Sequence, residues 1–260
     1  MLSMVCACTK PGMPIEVSFL PRYGDGAISC TEAAEGLQLT DLRLYVYDLK
    51  LTDQDGKDRD VQLDADGVWQ DGTTALLDFE NGQGACVNGS EARNQSVRGR
   101  VSAGKSTGPY RSISFTVGVP PESNHADPLM AGAPLNYTPM HWHWLSGYKF
   151  MRAGIAGAAD HFWMHLGSNR CDGSIKDGIQ CQSANRVAVT LSDFDPRQDR
   201  IVIDLMRLTE GVDLGDGTGS DCSSGPDELT CATAFATLGL PFGPATDAPP
   251  QRVFRGERAP

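Results

Sequence analysis

Between Tyr110 and Val119 the chain alternates so regularly that only a half-buried strand satisfies it. Ile113, Phe115 and Val117 would share one face, and Ser112, Ser114 and Thr116 the other. Pro120-Pro121 then stops the run, since proline cannot donate to a ladder. The same form recurs along the sequence. Ile15–Leu20 ends at Pro21 and the Gly24-Asp25-Gly26 turn, and Leu37–Leu51 reads as one long strand kinked near Asp41. Val61–Leu63, Thr73–Phe79, Val97–Val101, His161–Leu166, Arg186–Leu191 and Arg200–Leu205 read as further strands, with a turn expected at Gly154-Ile155-Ala156-Gly157. Twenty-nine glycines and sixteen prolines in 260 residues supply the turns between them. One short helix is expected over Cys231–Leu240. With no internal repeat and no convincing boundary, the expected fold is mainly β: a single antiparallel β-sandwich-like domain with long decorated loops.

Charge and cysteine content narrow the role. A net charge of −11 argues against nucleic-acid binding, which needs clustered Lys and Arg. Eight cysteines without any C-x-x-C pair give no support for a structural zinc site or a thioredoxin-type motif. Cys171/Cys181 and Cys222/Cys231 flank Gly-, Ser- and Asp-rich loops and read as disulfide staples, with Cys30 and Cys86 as a third bridge. Connectivity stays open, because six cysteines allow about fifteen pairings. Disulfides imply an oxidising compartment, the periplasm or the cell exterior. Val5-Cys6-Ala7-Cys8 resembles the end of a lipoprotein signal, with Cys8 the candidate for lipidation, although the stretch before it is short. No run of about eighteen apolar residues is present.

Met140-His141-Trp142-His143-Trp144-Leu145-Ser146-Gly147-Tyr148-Lys149-Phe150 concentrates two tryptophans, two histidines and a methionine. Read as one strand, it places Met140, Trp142 and Trp144 on one face and His141 and His143 on the other. Thioether and imidazole together suit Cu(I). A plain aromatic core strand with surface histidines explains the spacing equally well.

These residues carry a resemblance to the MbnP-like family. Val117-Gly118-Val119-Pro120 and Asn124-His125-Ala126-Asp127-Pro128 resemble the segment before that signature, and His165-Leu166-Gly167-Ser168 with the later cysteines the segment after it. The likeness runs from about Ile15 to Phe242, so 15–242 is taken as the family domain, 1–14 as a remnant of an export segment and 243–260 as a flexible tail. What the resemblance implies is a copper-binding protein, not an enzyme, paired with a di-haem c-type peroxidase-like (MbnH-like) protein. The first Trp of the pair, Trp142, would be oxidised to kynurenine. An intact indole has no free lone pair, whereas ring opening yields an aryl amine that can coordinate. Met140, modified Trp142 and His165 would form the metal shell, with His125 the second-choice imidazole. His141, His143 and His161 stand as auxiliary candidates. The role implied is copper uptake, storage or delivery in the periplasm or at the outer membrane or cell surface. The competing reading is a carbohydrate- or ligand-binding β-sandwich that uses exposed tryptophans as a stacking platform. A hydrolase is unsupported, since Gly-x-Ser-x-Gly and His-Glu-x-x-His are both absent.

Overall fold

The computed structural model describes residues 12–102, 108–214 and 220–260. Cys8, the candidate lipidation site, lies outside the described residues. In chain order the elements are β1 (Met13–Tyr23), β2 (Gly26–Ala27), β3 (Gln38–Asp53), β4 (Asp58–Leu63), β5 (Thr74–Asp78) and β6 (Ser96–Val101). Next come β7 (Tyr110–Val117), β8 (His141–His143), β9 (Gly147–Ala156), β10 (His161–Gly167), β11 (Asn169–Ser174) and β12 (Gly178–Ser183). The chain ends with β13 (Val187–Ser192), β14 (Asp199–Asp204), α1 (Leu205–Leu208), β15 (Ser220–Cys222), α2 (Ala232–Leu238) and β16 (Phe254–Arg258). No described helix is long and apolar enough to cross a membrane.

Fourteen strands join one large curled sheet, while β11 and β12 pair only with each other. The curl comes from strands that change partners along their length. β1 pairs antiparallel with β6 through Met13–Ser18 and then parallel with β14 through Phe19–Arg22. β3 does the same over sixteen residues: its first half meets β9 and β5, its second half β7 and β4. The register slips between Leu39 and Asp41, where the sequence suggests a kink, and again between Tyr47 and Lys50, where Asp48 has φ 54°. The sheet is mixed, since β10 and β15 also run parallel. Val17, Leu44, Val46, Ile113, Phe115, Val117, Phe150 and Ile201 belong to one continuous buried cluster between its walls.

Four local expectations are corrected. Met140–Phe150 is not a single strand. Met140 closes a 3-10 turn (Thr138–Met140), β8 spans only His141–His143, and the chain reverses before β9. Pro139 near the start of the 3-10 turn supplies the fixed φ it needs, and Gly147 adopts φ 76° beside the Asn124 carbonyl, where a side chain would collide. Second, no turn forms at Gly154; it stays within β9, covered by the Trp163 ring. Third, the loop between Cys171 and Cys181 is a hairpin with the two cysteines directly opposite. Fourth, the expected tail folds back as β16 along the open edge of β14, where Val253 and Phe254 are buried and Phe254 meets Phe115 edge-on at 5.7 Å.

The bridges are Cys30–Cys86, Cys171–Cys181 and Cys222–Cys231.

Candidate metal centre

β8, β9 and β10 lie side by side, and their solvent-facing side chains build the site. β10 alternates Phe162, Met164 and Leu166 inward with His161, Trp163 and His165 outward. Gly167 stands across from Lys149, and Trp142 lies over both. A Cβ at Gly167 would fall 2.5 Å from Cζ3 of the indole, so the missing side chain is the seat of that ring. The Trp142 and His165 rings meet edge-on with centroids 6.4 Å apart. Lys149 Nζ sits 6.0 Å from the Trp142 centroid and donates to the Pro139 carbonyl at 3.0 Å, tying the 3-10 turn to β9.

His165 is the site's most unusual donor. Burial pushes its pKa down to about 4, helped by the positive charges of Arg152 and Lys149. It is therefore a neutral imidazole at physiological pH. Its Nε2 is shielded from water and has no hydrogen-bond partner among the described residues. A buried nitrogen left so costs about 1–3 kcal/mol, which a metal or a hydrogen-bond donor would offset. Its backbone is held from below: Ser224 Oγ donates to the His165 carbonyl at 2.8 Å and accepts from the Gly167 amide at 3.1 Å.

Beneath the site runs a buried ionic chain. Arg152 Nη2 meets Asp41 Oδ2 at 2.5 Å, and Arg43 Nη2 bridges Asp41 at 2.9 Å and Glu80 at 2.6 Å. Tyr137 receives Arg43 Nη1 at 2.9 Å. Burial, then the hydrogen bond and charge of Asp41, lift Glu80 to about 8. Burial would raise Asp41 too, but the bond from Glu80 and the two arginines outweigh it and hold it low. Burial, with Arg152 and Arg43 adding repulsion, drops Lys149 to about 8.

The remaining expected ligands are distributed unevenly. Met140 is wholly buried in the core cluster at the end of the 3-10 turn, not on a strand face shared with Trp142. His125 turns elsewhere: its Nδ1 lies 3.1 Å from the Trp144 carbonyl and its Nε2 3.6 Å from Cys181 Sγ. His141 packs at 4.9 Å against Tyr148, and its Nε2 is also buried without a partner among the described residues. His143 is exposed and hydrogen-bonded to Ser146, and His161 is exposed between Asp160 and Asp221. Of the four tryptophans only Trp144, 47% accessible, is exposed, so no stacking platform of tryptophans forms. Sequence reasoning gave no role to Lys149 and Gly167, although both lie in stretches that carry the family resemblance, nor to Arg152 and Ser224, which lie outside any such stretch. It also missed Asn124, whose Oδ1 accepts from the Tyr148 amide at 3.2 Å and fixes the loop bearing His125.

A disulfide-stapled β domain that sets a half-buried tryptophan against an unpartnered neutral histidine defines a class of small-ligand or metal-binding protein. A family model described as MbnP matches residues 13–224, and the chain belongs to that family. The solved structure of MbnP from Methylosinus trichosporium superposes with a TM-score of 0.82 at 26% identity, covering 95% of this chain and 99% of that one. No curated protein matches the chain.

Proposed function

We propose that this protein binds Cu(I) in an exported compartment, in copper uptake, storage or delivery, at a site completed by oxidation of Trp142 to kynurenine. The observation that carries the reading is the buried, unpartnered Nε2 of a neutral His165 beside the Trp142 ring. The residues present fit copper only in part. His165 offers a nitrogen lone pair and Met140 a thioether, but the intact indole offers none. Ring opening supplies the missing donor. The indole C2–C3 bond breaks, both carbons become carbonyls, and hydrolysis releases the formyl carbon as formate, leaving an aryl amine and a ketone. The oxidant is hydrogen peroxide, two equivalents for each ring, which take up four electrons at a di-haem c-type peroxidase-like partner as two oxygen atoms enter at the cleaved carbons and two waters are released.

This chain's residues then have distinct tasks. Gly167 seats the ring, Lys149 fixes the turn that carries Met140, Arg152 and Asp41 brace the floor, and Ser224 holds the His165 backbone. Trp144, exposed beside β8, is where a docked partner reaches the modified strand. The chain serves as a binding protein, not an enzyme. Three disulfides support the periplasm or the cell surface, with Cys8 the candidate for a lipid anchor. The test is expression with and without the di-haem partner, followed by intact mass and copper retention after chelation. The expected result is a ring-opened mass and retained copper only with the partner. Copper held equally by unmodified protein would remove kynurenine from the proposal.

A further inference from the structure

The three disulfides among the described residues are not equivalent. Cys30, Cys86, Cys222 and Cys231 are at most 1% accessible, and the Glu228 carboxylate beside Cys231 is engaged by the amides of Ser223 and Gly225 at 2.9 and 3.1 Å. Cys171 and Cys181 are only half-buried, on a two-stranded hairpin that pairs with no strand of the main sheet. Opening this bridge would leave the large sheet's pairing untouched. Beside it stands His125, with one nitrogen of its ring and both cysteine sulfurs lying within 4.8 Å of one another.

The imidazole is oriented as a ligating histidine is. The Trp144 carbonyl can only accept, so Nδ1 carries the proton and donates to it at 3.1 Å. Nε2 therefore holds the lone pair, 3.6 Å from Cys181 Sγ. A backbone carbonyl on the far nitrogen is the arrangement that fixes tautomer and ring direction in metal-binding histidines. The other neighbour of Nε2 is the Asn124 amide nitrogen at 3.3 Å, which also reaches Ser168 Oγ at 3.4 Å. It keeps that second partner if Nε2 turns to a metal.

We propose that the Cys171–Cys181 hairpin is a redox-gated soft-metal site, separate from the Trp142–His165 centre, in which reduction of the bridge frees two thiolates that bind a thiophilic ion together with His125 Nε2. The reductant is a dithiol. It gives two electrons and two protons to the bridge, becoming a disulfide as Cys171 and Cys181 become thiols. Metal binding then releases the two thiol protons. Thiolate with imidazole suits Cu(I), Zn(II) and Cd(II). In an oxidising compartment the bridge is the resting state and the site is closed. A dithiol carrier opens it.

The experiment uses the full chain made without the di-haem partner, so Trp142 is unmodified. After anaerobic treatment with dithiothreitol and desalting, differential alkylation with peptide mass spectrometry reports which cysteines opened. Titration with Cd(II) alone reads the thiolate-to-metal absorption band. Expected are selective opening of Cys171 and Cys181, one Cd(II) per chain in the reduced protein and none in the oxidised protein. His125→Ala should weaken binding by at least about tenfold, and the double variant Cys171→Ser/Cys181→Ser should remove the band while leaving the circular dichroism unchanged. Should the double variant not fold, His125→Ala keeps every cysteine and decides the matter. Opening of the buried bridges first, no charge-transfer band after reduction, or equal affinity in His125→Ala would each overturn the proposal.

Discussion

Gly167→Ala is the smallest change that should uncouple Trp142 from His165. The added methyl would lie 2.5 Å from Trp142 Cζ3, 2.9 Å from the Tyr148 carbonyl and 3.2 Å from Trp142 Cη2. No strained φ is involved, so the effect is steric. The carbonyl belongs to a β9 residue buried in the core and cannot retreat, leaving the indole to move. Overpacking of this kind costs about 1–3 kcal/mol, but tilting the indole off its seat does the greater harm, because ligand placement fails before the fold does. Gly154→Ala is the matched control. Its methyl would meet Thr40 Oγ1 at 2.5 Å and Trp163 Cζ3 at 2.8 Å, a collision as close as that at Gly167 but against a different tryptophan. Denaturant unfolding should show both variants destabilised by comparable amounts. Co-expression with the di-haem partner should give full Trp142 modification and copper retention in Gly154→Ala and a loss of both in Gly167→Ala. Equal copper retention in the two would refute the role assigned to the Gly167 seat.

Further outcomes follow from the same geometry. Met140→Leu conserves volume and should cost less than about 1.5 kcal/mol, while weakening Cu(I) retention measured by competition with a chelator; unchanged retention would remove Met140 from the shell. The pKa of His165 is depressed to about 4 from an ordinary value near 6.5, so the unfolded chain binds the extra proton first. Stability from this group is complete above about 6.5 and is lost as pH falls toward 4; His165→Gln should flatten that limb of a pH–stability curve. Glu80, raised to about 8, works in the opposite sense. Its contribution is complete below about 4.5 and is lost as pH rises through 8, and Glu80→Gln should abolish the alkaline loss. Arg43→Met leaves Asp41 buried without its partner on β3 and should cost about 3–5 kcal/mol in chemical denaturation.

The strands with clean alternation were legible in the sequence: β7, β10 and β13 stand where apolar and polar residues trade places, and the long leucine-rich run became β3 with its bend near Asp41. β11, β12 and β16 were not, because Gly, Asp and Arg at their positions carry little strand preference and the pairing is decided by a bridge or an open edge elsewhere. The Met140–Phe150 stretch misled for a related reason. Its period-two aromatics resemble one strand, but the reversal depends on Gly147 packing against Asn124, more than twenty residues upstream. The Trp142 and His165 rings stand 6.4 Å apart, and His125 is held by other partners. Its ring is claimed by the Trp144 carbonyl and the Cys181 sulfur. No local pattern could reveal that contact, nor the Arg152–Asp41–Arg43–Glu80 chain, whose members come from β3, β9 and the segment after β5.

The most direct measurement of the central claim compares Trp142→Phe with Trp144→Phe, each co-expressed with the di-haem partner and read by peptide mass spectrometry and bound copper. Trp142 faces His165 across 6.4 Å and Trp144 is the exposed residue beyond it. Trp142→Phe should remain folded, show no ring-opened tryptophan and retain no copper, whereas Trp144→Phe should be modified more slowly and still hold it. Copper kept by Trp142→Phe and lost by Trp144→Phe would contradict the assignment.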